Sequence, residues 1–185
     1  MVDVKELLNI WLLVAKEDRA RYSYSAEEAF VPKIAIIGPN DESFVAAATW
    51  RNEQQKYAVM DVAAETARKL FAQAIVLASD TRWVLSDAFC DHFKIQPPSA
   101  ENGGIAGYKQ RYLAILNEHG GQMKNLPRQL WKEAVTVGIK GPRCGSHCRM
   151  APYDRGPNDQ VHYLPVDMSQ ENHRYEMNLI PEWWQ

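Results

Sequence analysis

The chain reads as an α+β protein, a largely antiparallel sheet packed against helices in the order α-β-β-α-β-(helical insert)-β-β-β. Three observations lead there. Apolar residues make up 46% and charged residues 24% of the 185 positions, the ordinary globular balance in a chain long enough to bury a core. Apolar residues recur at helical spacing in two long stretches and as short β-branched runs elsewhere. The strand-like runs are joined mostly by short turns, which favours antiparallel neighbours with helices on a face.

Taken in order, Val4, Leu7, Leu8, Trp11, Leu12 and Ala15 keep helical spacing, with Asp3 placed to cap that helix. Lys33 to Ile37 is a short β-branched run that stops at Gly38-Pro39-Asn40-Asp41, four turn formers. Two continuations are open from there: residues 43 to 49 pair back as a second strand, or Asp41 caps a helix. The second would resemble the start of a nucleotide-binding fold. One glycine followed by a proline and two acids makes a poor phosphate cradle, however.

Arg51 to Phe71 is a helix whose apolar side includes Tyr57, Met60, Ala63, Ala64, Leu70 and Phe71, with charges over much of the rest. Ala74 to Ala78 is a buried strand. The segments 85–93 and 107–120 look helical around a loop, "PPSAENGG", so that 86–130 forms a helical and loop insertion in a single domain, 1–185. Ala134 to Ile139 is a further strand, and Arg149 to Tyr153 with Val161 to Leu164 flank the hairpin turn "DRGPND".

Charge and composition narrow the function classes. The net charge of -2, from 21 basic and 23 acidic residues, supplies no global field for nucleic acid or an anionic membrane. No apolar stretch is long enough to span a bilayer, so no membrane partner is expected. The start of the chain lacks the basic, unbroken apolar pattern of a secretory signal, and three cysteines form no disulfide framework. A cytoplasmic protein is expected.

The middle of the chain carries a resemblance. The run "AIIGPNDESFVAAATWRNEQQKYAVMDVAAETARKLFAQAIVLASDTRWV", with "KEAVTVGIKGP" and "RMAPYDRGPNDQVHYLP" later, resembles a loose group of small phage and bacterial α+β proteins with no assigned activity. The resemblance covers roughly residues 33 to 85 and 133 to 165, and Ser79, Asp80 and Trp83 match that group's strand-end segment. The resemblance implies the hairpin reading of 43 to 49 and a phage or prophage setting. It implies no activity.

Several constellations have chemistry to offer. Cys144, His147 and Cys148 in "RCGSHCRM" are three soft or borderline donors within five positions, and zinc is the cofactor they would hold with Cys90, His92, His162 or His173 as fourth ligand. Adjacent residues point to opposite faces of an extended strand, so His147 and Cys148 converge only if the loop curls. We read the segment first as a glycine turn leading into a strand. Cys148 with His162 or His173, and Cys90 with His92, are the pairings that would make a nucleophilic thiolate.

Asp80 and Arg82 follow a buried strand, and Asp87 and Asp91 come soon after, which suggests a carboxylate cluster for Mg²⁺ in a metal-dependent hydrolase or nuclease. A strand-end ion pair between Asp80 and Arg82 is the structural alternative. Residues 124 to 155 hold seven basic residues against Glu133 and Asp154, a candidate nucleic-acid surface with Trp131 and Tyr153 among them. Finally, Trp183 and Trp184 stand just before Gln185, and groups this large must be buried internally or at an interface. With no catalytic constellation standing out, the expected function is non-catalytic, through a protein partner or a homo-oligomer.

Overall fold

The computed structural model describes residues 3–21, 30–40, 42–50, 52–165 and 175–184. Helix α1, Val4–Arg21, is capped as its sequence predicts, with the Lys5 and Glu6 amides donating to Asp3 Oδ1 at 2.9 and 3.1 Å. It runs one turn beyond the spacing visible in the sequence. Of the two continuations after the Gly38 turn, the hairpin is the one formed. Strand β1, Lys33–Ile37, pairs antiparallel with β2, Ser43–Ala47.

Helix α2, Glu53–Lys69, starts at Asn52, whose side chain accepts from the Gln55 amide. Strand β3, Ala74–Val84, pairs antiparallel with β1. The segment expected as an insertion contains α3, Ser86–Phe93, and α4, Gly104–Glu118. It is followed by β4, Trp131–Gly141, β5, Gly145–Arg155, β6, Val161–Tyr163, and a last turn of helix, α5, Tyr175–Asn178. The result is an antiparallel six-stranded sheet in the order β2-β1-β3-β4-β5-β6 with helices, an α+β fold.

The chain divides into two compact units, Met1–Thr81 with Ala134–Gln185, and Arg82–Glu133. In the first, both sheet faces are covered. Leu8, Leu12 and Ala15 of α1 pack on Ala35, Val76, Val137 and Tyr153, while Met60, Ala63 and Ala67 of α2 pack on Ile34, Ile36, Ile75 and Leu77. Burial on both sides explains why the central strands read as continuous apolar runs. The second unit has its own core of Phe89, Leu126, Leu130 and Trp131.

The chain's end joins the α2 face. Met177, Ile180 and Trp183 belong to that core, and Lys140 donates to the Ile180 carbonyl. Gly138 of β4 is a close-approach position, because a Cβ there would overlap the Met177 side chain. Trp183 is 3% exposed and its indole N–H donates to the Ala72 carbonyl at 3.4 Å. Of the two placements open to it, internal or interfacial, Trp183 takes the internal one and seals this core. Trp184, edge-on to it at 4.7 Å between ring centroids, is 37% exposed.

Candidate functional site

The cysteine segment resolves into the turn and strand that its spacing allowed. Residues 142–144 make the turn, Gly145 takes a left-handed φ of 68°, and β5 begins there. His147 and Cys148 then alternate along an extended strand. The His147 ring meets the Cys144 carbonyl, Nε2 to O 2.7 Å. Among the described residues no three His, Cys, Asp or Glu side chains gather as they would around a metal ion. His173 lies outside the described residues, as does the Trp83 side chain.

Cys144, His147 and Arg143 line a cleft of about 530 Å³ with Phe71, Gln73 and Pro39. Burial raises the Cys144 thiol above its ordinary range, which keeps it protonated at neutral pH. Cys90 is buried in α3, while His92 stacks edge-on against Phe93 at 4.7 Å. His162 is exposed on β6.

The carboxylates are dispersed among structural roles. Asp80 accepts from the Tyr153 hydroxyl at 2.8 Å and lies 3.9 Å from the Nε of fully buried Arg19, which itself donates to Tyr153 at 3.1 Å. Arg82 pairs instead with buried Glu133 at 3.0 Å, so the expected Asp80 to Arg82 pair is replaced by two separate ones. Alternation keeps Asp80 and Arg82 on one strand face about 7 Å apart along the backbone, and each meets a nearer partner from another segment. Asp87 and Asp91 sit exposed on α3.

Four of the seven basic residues of 124 to 155 have partners within the fold. Arg128 stacks on Trp131, 4.3 Å to the ring, and reaches Glu133. Lys140 is buried, Arg149 donates to Asn9, and Arg155 lies over Tyr153. No helix among the described residues is long and apolar enough to cross a membrane.

The surface that stands apart is β2. All five of its residues are exposed, including Phe44 at 57% and Val45 at 48%, and none carries a charge. It ends the sheet, and among the described residues no strand pairs with its outer side. Phe44 and Ala46 oppose Ile36 and Ile34, so they share the α2 face. Together with Ala58, Val59, Val62 and Thr66 of α2 they line an apolar groove of about 400 Å³. The Thr66 hydroxyl donates to the Val62 carbonyl at 2.8 Å, turning its polar atom back to the helix.

The hairpin's hydrogen bonds show which backbone groups remain for a partner. The Gly38 amide donates to Glu42 at 2.8 Å and the Ala48 amide to Pro32 at 2.7 Å. These are alternate positions of an antiparallel ladder, so Phe44 and Ala46 bond to β1 while Ser43, Val45 and Ala47 direct N–H and C=O outward. The edge was missed in the sequence because "SFVAA" is too short to separate strand from helix. Its lack of any charge or proline was the available signal. Compared with known proteins, the chain matches no family model, no curated protein and no solved structure.

Proposed function

We propose that this chain is a non-catalytic interaction protein that associates with protein by adding a strand to β2. The observation that supports this reading is the five-residue edge, uncharged and exposed throughout, with an apolar groove beside it. Sheet proteins ordinarily guard such an edge with charge, proline, a bulge or a covering segment, because unpaired N–H and C=O groups template pairing. Strand addition uses the same features: main-chain bonds give affinity, and a groove for alternate side chains gives selectivity.

A photo-crosslinking residue at position 44 tests it in cells. A covalent protein adduct is expected from position 44 and none from position 71, whose phenylalanine is also highly exposed but does not line the β2 groove. Absence of any protein adduct at 44 would refute the reading.

A further inference from the structure

Building on that reading, we infer that the strand added to β2 is β2 of a second copy, paired antiparallel about a two-fold axis at Val45. The backbone favours this register. Outward N–H and C=O groups belong to Ser43, Val45 and Ala47, which are symmetric about Val45. Val45 then exchanges bonds with its counterpart, and Ser43 with Ala47 of the other copy, so every outward group in the strand is satisfied.

Side chains fit the same register. Phe44 falls opposite Ala46 of the second copy, large against small, on the face where both line the groove. Exposed Val62 of α2 borders that contact on each side.

Charge is compatible with an identical strand run the opposite way. The two-fold sets exposed Glu42 opposite Ala48 of the second copy and not opposite another acid. Because the strand itself is uncharged, no like charges face each other across the axis. The product is one continuous sheet in which neither copy retains an open β2 edge.

Sedimentation velocity and a cysteine cross-link test this together. The untagged chain is expected to sediment as a dimer, and Val45→Lys as a monomer with an unchanged circular dichroism spectrum, since the substitution sets two ammonium groups opposite each other. In a Cys144→Ser, Cys148→Ser background, Val45→Cys is expected to form a covalent dimer on mild oxidation, because hydrogen-bonded antiparallel partners lie about 5.5 Å apart at Cα. Phe44→Cys, opposite residue 46 and not itself, is expected to form none.

A wild-type chain that stays monomeric as concentration rises overturns the inference. So does a dimer in which Phe44→Cys links and Val45→Cys does not. If a monomer gives an adduct of foreign mass from position 44, self-pairing fails while strand addition stands; if there is no adduct, both fail.

Discussion

At one edge of the sheet β6 spans three residues and is held against α1, whereas at the other β2 spans five and is exposed along its length. The Tyr163 hydroxyl of β6 donates to the Lys16 carbonyl at 3.0 Å, and the Lys16 ammonium lies over its ring. Tyr163 stacks on Tyr153, which carries the Arg19 and Asp80 network, and Pro165 follows soon after. The edges therefore solve one problem in opposite ways. At β6 the open ladder is shortened and anchored into the core, so substitutions there act on stability. At β2 no strand among the described residues pairs with the outward side, so on the proposed reading substitutions there act on association.

The largest effect expected on this contrast is at the β6 anchor. Arg19→Ala leaves Asp80 and the Tyr153 hydroxyl buried without their cation, and should cost about 3–5 kcal/mol of folding stability in urea titration. A cost near zero would mean that the β6 edge is not anchored through this network. The sheet centre supplies the intermediate case. Gly138→Ala places a methyl against Met177 and should cost about 1–3 kcal/mol by overpacking, measured the same way.

Next is Tyr163→Phe, which removes the bond to Lys16 and should cost about 1 kcal/mol. Its signature is in the pH dependence. Burial pushes the Tyr163 hydroxyl well above the ordinary tyrosine range, with the Asp80 carboxylate adding to the rise and Arg19 opposing it. The folded value exceeds the unfolded one, so the unfolded chain releases its proton first. The stabilisation is present in full below the ordinary range and is lost as pH rises beyond about 10. Phenylalanine should flatten that alkaline decline, and an unaltered decline would remove Tyr163 as its source.

Smallest in stability is Val45→Lys, expected to change unfolding of dilute protein by no more than about 0.5 kcal/mol. The same substitution is the one expected to abolish the dimer. A large loss of stability in dilute protein would erase the distinction between the two edges.

Much of the architecture was legible because periodicity reports burial directly. The α1 and α2 stripes, the Asp3 cap, the apolar runs of β1 and β3 and the helical insertion all follow from local pattern. Strand length was less legible. β4 and β5 each run 11 residues, and their ends include polar positions that the pattern assigns to loops. Ladder hydrogen bonds, which have no sequence signature, carry those residues. The proposed site was least visible, since an edge is defined by what fails to pair with it.

By itself, then, the sequence determined which residues are helix and which are strand over most of the chain, and that His147 and Cys148 would alternate if extended, because both are properties of neighbours along the backbone. Only the tertiary structure decided that Asp80 belongs to Arg19 and Tyr153, that Arg82 belongs to Glu133, that Trp183 closes the core, and that β2 is left at the sheet's end. Those outcomes depend on pairings between distant segments, whose energies arise only once the chain has brought them together.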